Sequence, residues 1–210
     1  VEALSGLRQS SQGSISLDGH EISGSSPRQR HNLGMGHVPE DRQRQGLVAS
    51  MTITENLVLT RYHDSGFCNG LKMKWSSAKE NAKELVKSYD IRTSDPEQLA
   101  STLSGGNQQK LVVGRNLATA PKVLIAAHPT RGIDVGAQAA VWEEIRRSRD
   151  AGMSVLLVSA DLEAIVSAAL TAFSEAGNLE EFKNARLAHA GDKSPIASAN
   201  RELASLAASE

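Results

Sequence analysis

The stretch that decides the fold is KVLIAAHPTRGIDVGAQAAVWEEIRRSRDAGMSVLLVS, residues 122–159. It begins with a continuous apolar run over 122–127, of the kind found in strands that are buried on both faces of a parallel sheet. A helical pattern follows over 135–151 and ends at Gly152, and a second apolar run covers 154–159. A strand, a helix and a strand in this order predict a βαβ unit, and therefore an α/β fold with helices packed on a parallel sheet.

A second informative run, LSGGNQQK, occupies residues 103–110 and opens an amphipathic stretch. Ser104 stands where it can cap a helix, and Gly105 and Gly106 follow it in the first turn. Two glycines at a helix start let backbone N–H groups approach a ligand, and the positive helix end favours an anion. The run predicts a phosphate-binding helix start, with the helix extending to about Ala118. The simpler interpretation is a glycine-rich helix start with no ligand.

The composition limits the classes of protein that fit. The chain has 210 residues, which suits one domain or one domain with an appendage. A formal net charge of −1 gives no global electrostatic reason to bind nucleic acid or a membrane. The single cysteine, Cys68, excludes an internal disulfide and a cysteine-rich zinc site. No apolar stretch approaches the roughly 18 residues that a membrane-spanning helix needs, so we expect a soluble, cytoplasmic protein.

Local patterns predict the elements that precede the LSGGNQQK run. Asp18-Gly19 predicts a hairpin between two short strands. Thr54 is expected to cap the helix that follows it. Residues 67–74 have little pattern and are expected to form a loop. Ser77 with Glu80 is expected to form a capping box that begins the next helix.

Three motifs follow one another along the first part of the chain: VPEDR at 38–42 with Gly46-Leu47, LSGGN at 103–107, and PTRGIDVG at 129–136. In these motifs and their spacing, residues 1–165 resemble the second nucleotide-binding domain of the tandem ATP-binding cassette (ABC) ATPases that drive bacterial simple-sugar and nucleoside importers. The resemblance implies a truncated ABC-cassette sandwich with a parallel sheet and a helical subdomain at about 47–117. It makes LSGGN the signature motif, and the segment 124–134 the Walker B strand and D-loop.

The sequence departs from that family at the positions that hold and cleave ATP. No G-x-x-x-x-G-K-[ST] run, the P-loop, occurs in the chain, so the resemblance implies a cassette cut at its front. Glu40 stands at the Q-loop position, Ala127 replaces the aspartate that orients magnesium, and His128 replaces the glutamate that polarises water. At the switch position, Ala160 replaces the usual histidine. We therefore expect no catalytic residue, no metal ligand and no ATP hydrolysis by the isolated chain.

The signature and D-loop residues are intact. In the ABC family two domains pair head to tail, and the signature of one completes the ATP site of the other. The resemblance implies that five residues serve a P-loop-bearing partner domain: Ser104, Gly105, Gly106 and Asn107 of the signature, and Asp134 of the D-loop. ATP is then shared with the partner, and magnesium is bound only through it. Membrane permease subunits hold the pair peripherally at the cytoplasmic face of the cell membrane.

Two features of this part have alternative interpretations. His128 fits a general base or a metal ligand, but the sequence offers no second ligand nearby, which favours a neutral substitution at a disused site. Residues 47–75 fall where the family's helical subdomain contacts the membrane subunits. An ordinary apolar helix under a loop fits that pattern equally well.

The tail, residues 166–210, differs in composition from the rest. It is rich in Ala, Ser and Glu, and its apolar residues recur at helical spacing, which predicts a helical hairpin. Between Asn178 and Ile196 it resembles the N-terminal tRNA-binding arm of the bacterial phenylalanyl-tRNA synthetase α subunit. That resemblance implies contacts with tRNA phosphates by Lys183, Arg186 and Lys193. A generic alanine-rich hairpin is the simpler alternative.

Three functional hypotheses follow for the chain. The ordered motifs favour an ATP-binding component of an ABC importer for simple sugars or nucleosides, whose signature serves a partner's ATP site. The alternative is a tRNA-binding arm fused to an inert cassette remnant, and the two resemblances together indicate a chimera of two truncated modules. The third hypothesis is a fragment without activity.

Overall fold

The structure is a computed structural model, and it describes residues 1–159. The helices of this part are α1 (Glu2–Ser5), α2 (Pro27–Asn32), α3 (Ile53–Val58), α4 (Trp75–Ser88), α5 (Gly105–Leu117) and α6 (Val135–Asp150). The strands are β1 (Ser16–Leu17), β2 (His20–Glu21), β3 (Met35–Val38), β4 (Cys68–Asn69), β5 (Lys72–Met73), β6 (Val123–Ala127) and β7 (Ser154–Val158). A π-helical turn covers Arg42–Gly46, and a 3₁₀ turn covers Ala100–Thr102. None of the helices described is long and apolar enough to cross a membrane.

The centre of the fold is a three-stranded parallel sheet in the order β3-β6-β7. Met35 of β3 pairs with Val123 of β6, and Val123 pairs with Ser154 of β7, so the three strands start at the same level. Helix α6 connects β6 to β7. The βαβ unit predicted over 122–159 is therefore confirmed, and the fold is mixed α/β with a parallel sheet.

Helices α5 and α6 cover one face of the sheet and form the main core with it. Val38, Leu124 and Ala126 of the strands are fully buried in this cluster. Burying an apolar side chain of the size of Val or Leu contributes about 1.5–3 kcal/mol to folding. The helices supply much of the remaining apolar volume through Leu111, Val112, Leu117, Val141 and Ile145.

A β-hairpin and α1 cover part of the opposite face. Strands β1 and β2 pair on either side of Asp18 and Gly19, whose φ angles of 52° and 78° are left-handed. Those angles suit a two-residue hairpin turn, so the Asp-Gly prediction is confirmed. After the hairpin, Ile22 packs with Met35 and Ile125 in a second, smaller core cluster.

The cap of α3 differs from the prediction. Thr52, not Thr54, is the N-cap residue: its hydroxyl accepts from Glu55 N at 3.1 Å, and the Glu55 carboxylate accepts from Thr52 N at 2.7 Å. Thr54 lies inside the helix, where its hydroxyl donates to a Glu97 carboxylate oxygen at 2.6 Å. The physical reason is that only Thr52 has a glutamate three residues later, and this reciprocal pair satisfies two unpaired N–H groups at once.

The segment before α4 also differs from the prediction. Residues 67–74 form a hairpin of β4 and β5, not a loop, and Lys74 N closes it by donating to Phe67 O at 2.8 Å. Helix α4 begins at Trp75 without a side-chain cap, so the expected capping box of Ser77 and Glu80 lies within the helix. The last hydrogen bond of the hairpin is made by Lys74, so the helix begins at the next residue, Trp75.

Asn56 fastens α3 to the segment that precedes it. Its side chain is 0% exposed, and its Oδ1 accepts from Val48 N at 2.8 Å. Its Nδ2 donates to Val48 O at 2.9 Å and to Thr52 O at 2.9 Å. Val48 lies in an irregular segment, so these bonds replace the hydrogen bonds that a helix or strand would supply.

We expect Asn56→Ala to lower the free energy of unfolding by about 2–4 kcal/mol, because it leaves a cavity and removes the partner of poorly hydrated peptide groups. Asn69→Ala, at an exposed position of β4, is the matched control and should change it by less than about 0.5 kcal/mol. Denaturant melts of the two variants and the parent chain measure the difference. Equal midpoints for the two variants would contradict the role assigned to Asn56.

Candidate functional site

Ser104 caps the amino-terminal end of α5, as the sequence predicts. Its hydroxyl accepts from Asn107 N at 3.4 Å and from Asn107 Nδ2 at 3.0 Å. Asn107 Oδ1 in turn accepts from Arg92 N at 2.9 Å. Ser104 is exposed. Because the first N–H groups of a helix have no acceptor within the helix, this exposed end can bind an anion.

Gly106 is required by a close contact with α6, and Gly105 lies against the end of the Arg42 side chain. A Cβ atom on Gly105 would lie 2.8 Å from Arg42 Nη2. A Cβ atom on Gly106 would lie 2.6 Å from Ala137 Cβ and 3.1 Å from an Asp134 carboxylate oxygen. The two glycines therefore allow the start of α5 to pack directly against the start of α6 and against the π-helical turn.

Asp134, the expected D-loop residue, is the N-cap of α6. Its Oδ1 accepts from Ala137 N at 2.9 Å. The turn that leads from β6 to this cap begins at His128, whose φ of 46° lies in the left-handed region. His128 N donates to Val158 O at 2.7 Å, which ties the turn to the end of β7. The starts of α5 and α6 thus lie side by side, and the structure brings together the signature and D-loop residues.

Arg42 joins these two helix starts, a role that the sequence motifs did not predict. Its Nη1 donates to Arg131 O at 2.9 Å, and its Nη2 donates to Gly132 O at 3.2 Å beside Gly105. Asp41 places it by capping the π-helical turn that Arg42 begins. The available signal was the VPEDR motif, which puts an arginine directly after two acidic residues.

The positions expected to have lost catalytic groups meet at one cavity of about 310 Å³. Glu40, Ala127 and His128 line it together with Arg131, which forms an ion pair with Glu40. The Ala127 side chain offers no ligating atom, and residues 1–159 hold no group of three or more His, Cys, Asp or Glu side chains placed for a metal. The cavity therefore lacks a magnesium ligand at position 127. Ala160 lies outside the described residues.

A larger cavity of about 470 Å³, hereafter the histidine cleft, is lined by residues of α2, of β3 and of the segment that follows α3. Arg115 on its lining is 5% exposed, and burial lowers its pKa from the ordinary value to about 10. Its two terminal nitrogens donate to Gly46 O and Asn56 O. Within the described part of the chain, five buried atoms on the lining have no hydrogen-bond partner: His31 Nε2, His37 Nε2, Thr60 Oγ1, His63 Nδ1 and Arg115 Nε.

His37 lines both cavities. Burial lowers its pKa below the ordinary histidine value, and burial is also the largest cause of the lowered pKa of His31. Each ring therefore resists protonation in the folded chain but accepts a proton on unfolding. The stability that this provides is complete above the unfolded pKa and is lost as the pH falls below it.

We expect the free energy of unfolding to decrease from about pH 7 to about pH 5, and His37→Gln to reduce that decrease because glutamine does not titrate in this range. The loss begins near the unfolded histidine pKa of about 6.5. His20→Gln, at an exposed histidine of β2, is the matched control. Denaturant melts at several pH values in this window measure the slope. A slope that His37→Gln leaves unchanged would show that another group sets it.

Lys183, Arg186 and Lys193, the residues expected to contact tRNA, lie outside the described residues. The whole predicted hairpin over 166–210 does so as well. Its resemblance to a synthetase arm stays a prediction from the sequence.

Comparison with known proteins establishes the class of this chain. The profile of a family described as ABC transporter matches residues 1–131, more than half of the sequence. The matched part includes both the VPEDR and the LSGGN motifs, whose geometry is described above. The chain belongs to the ABC transporter family.

Curated relatives narrow this class. The chain is 41% identical over 167 residues to a guanosine import ATP-binding protein of Bacillus subtilis, and 38% identical over 167 residues to a nucleoside import ATP-binding protein of Lactococcus lactis. Each alignment covers 80% of this chain and 33% of the relative. An arabinose import ATP-binding protein of Pseudomonas syringae is 40% identical over 162 residues, 76% of this chain and 31% of the relative. The chain thus spans about a third of the length of these relatives.

Solved structures share the fold. A dimeric bacterial ABC transporter cassette superimposes with a TM-score of 0.62 at 20% identity, over 77% of this chain and 68% of that one. A nucleotide-free cassette from an ABC transporter gives 0.61 at 18% identity, over 79% and 66%. At these identities the likeness concerns the fold alone, and it confirms the ABC-type α/β architecture that the sequence predicts.

Proposed function

We propose that this chain is the ATP-binding component of an ABC importer for simple sugars or nucleosides, and that its signature helix completes the ATP site of a partner cassette. Family membership and the relatives described as import ATP-binding proteins for guanosine, nucleosides and arabinose support the general assignment. The observation that carries the role in a partner's site is the exposed start of α5, where Ser104, Gly105 and Gly106 lie beside Asp134.

The chemistry of this helix end suits the terminal phosphate of ATP. ATP supplies a γ-phosphate with its negative charge, and the first turn of α5 supplies unpaired N–H groups and the positive end of the helix dipole. The Ser104 hydroxyl already accepts hydrogen bonds from Asn107, so its own proton is left to donate to a phosphate oxygen. Asn107 is held by Arg92 N and keeps that hydroxyl in place.

The chain's own ATP site is inactive in this proposal. Ala127 supplies no ligand for magnesium, and the Glu40 carboxylate is engaged by Arg131. A lost preorganised polar group commonly costs about 10²–10³ in rate, and a metal ligand and a water-orienting carboxylate are both replaced. Hydrolysis then depends on groups of the partner cassette, which binds ATP and magnesium and receives the signature in trans.

The histidine cleft is the proposed docking surface for the membrane permease subunits. Tyr62 stands 51% exposed at the cleft, and the Arg28 guanidinium lies 5.8 Å from its ring centroid. An acceptor group of a docked segment can pair with the Arg28 guanidinium, which is exposed at the same place. Assembled in this way, the chain lies peripherally at the cytoplasmic face of the membrane.

We expect the isolated chain to hydrolyse no MgATP above background, and to stimulate hydrolysis by a P-loop-bearing first cassette of a tandem importer ATPase. Ser104→Arg should lower the stimulated rate by about 10²–10³, because it removes a phosphate-binding hydroxyl and fills the helix end. Phosphate release from the mixture is the measurement. Ser76→Arg, an exposed serine of α4, is the matched control and should leave the rate unchanged.

Two outcomes would contradict the proposal separately. Magnesium-dependent turnover by the pure chain would show that its own site is active. A stimulated rate that Ser104→Arg leaves intact would show that the signature does not serve the partner.

We expect Tyr62→Glu to weaken association with the permease subunits about tenfold or more, because it places a charge at the centre of a docking surface. The ATP turnover of the cassette pair without permease should be unchanged. Binding to permease in detergent or nanodiscs measures the first effect. Leu71→Glu, at a fully exposed leucine that does not line the cleft, is the matched control. Equal affinities for the two variants would rule out the cleft as the docking surface.

A further inference from the structure

Arg42 contacts two segments that are far from its own in the sequence. It begins the π-helical turn after β3 and donates to the carbonyl oxygens of Arg131 and Gly132 in the turn between β6 and α6. The same Nη2 atom lies against Gly105, where a Cβ would come within 2.8 Å of it. These contacts among Arg42, Gly105, Arg131 and Gly132 are hereafter the arginine clasp.

The clasp depends on the shape of the guanidinium group. Two nitrogen atoms of one plane reach two successive carbonyl oxygens, at 2.9 Å and 3.2 Å. A lysine ammonium is a single point of charge on a flexible stem and does not reproduce this forked arrangement. The contact therefore requires arginine, and it fixes the distance between the D-loop and the first turn of α5.

Charge pairing within the chain does not explain Arg42. Among residues 1–159, no ion pair is formed by its guanidinium, and its buried Nε has no hydrogen-bond partner. Glu40, two residues before Arg42, forms an ion pair with Arg131 instead. A cation beside the start of a helix also opposes the helix dipole, so the contact does not stabilise α5 electrostatically.

We propose that Arg42 is a positioning residue for the partner's ATP site: the arginine clasp holds the D-loop and the signature glycines at the spacing that hydrolysis requires. This inference rests on the proposed function of the signature in trans. Arg42 itself does not contact the phosphate. It acts through Gly105, which carries a phosphate-facing N–H, and through the turn that ends at Asp134.

The effect belongs to the step in which the γ-phosphate is cleaved. In the proposed site the signature faces the terminal phosphate of a nucleotide that the partner's P-loop holds, and the D-loop lies beside the signature. A misplacement of about 1 Å in such a group can cost about 10²-fold in rate. Loss of the clasp therefore lowers kcat at the shared site and leaves the partner's affinity for ADP unchanged.

The first test uses the full chain mixed with a P-loop-bearing first cassette, with MgATP as substrate. Arg42→Ala is expected to lower kcat about 10–100-fold and to change KM less than about threefold. Arg42→Lys should restore only a small part of that loss and stay well below the parent kcat, because it keeps the charge but not the forked shape. Arg44→Ala, an exposed arginine of the same turn, is the matched control and should keep the parent kcat.

The second test is a double-mutant cycle with Gly105→Ala. In the parent chain the added methyl displaces the Arg42 guanidinium, and kcat should fall about tenfold or more. In the Arg42→Ala background the methyl meets no guanidinium, and Gly105→Ala should cost less than about twofold. Equal costs in both backgrounds would overturn the proposal, because they would show that Gly105 acts without Arg42.

The outcomes separate this inference from the proposed function. If Ser104→Arg abolishes stimulation while Arg42→Ala leaves kcat unchanged, the signature serves the partner but the clasp does not position it. If Ser104→Arg itself has no effect, the proposed function fails, whatever Arg42→Ala does. Thermal melts show how much of the Arg42→Ala protein is folded. If kcat falls only in proportion to the unfolded fraction, Arg42 has a structural role alone and the proposal is overturned.

Discussion

The packing of α5 is the constraint on which the rest of the structure depends. Ten of its 13 residues are buried, and they fill the space between the sheet and helices α3, α4 and α6. The same helix exposes its first turn, with Ser104 as the cap. The position of this exposed helix end is therefore set by the core and not by a surface loop, which holds its N–H groups in a fixed arrangement.

Buried hydrogen bonds fix the register of α5, which apolar packing alone does not determine. Arg115 donates to the backbone of Gly46 and Asn56, and Asn116 Oδ1 accepts from His37 N at 3.1 Å. One helix is thus tied both to the sheet and to the segment that carries α3. Apolar contacts tolerate small shifts of a helix, whereas buried hydrogen bonds hold it in one register.

Periodic features were predictable from the sequence and long-range contacts were not. The strands and helix of 122–159, the Asp-Gly hairpin and the cap at Ser104 follow from local composition and spacing. The cap of α3 required a choice between Thr52 and Thr54, and the glutamate at position 55 decides it. The contact of Arg42 with Gly132 joins residues about 90 positions apart, and no local pattern encodes such a separation. The grouping of His31, His37 and His63 around one cleft has the same origin.

The register of the sheet has a consequence for synthesis. Met35 of β3 pairs with Val123 of β6, which is made about 90 residues later. At about 5–20 residues per second, β3 waits roughly 5–20 s until β6 has been synthesised. During that interval β3 lacks its partner β6, and Val38 lacks the residues of β6 that pack with it in the core. We expect a chaperone that shelters the nascent chain to act in this interval, before β6 leaves the ribosome.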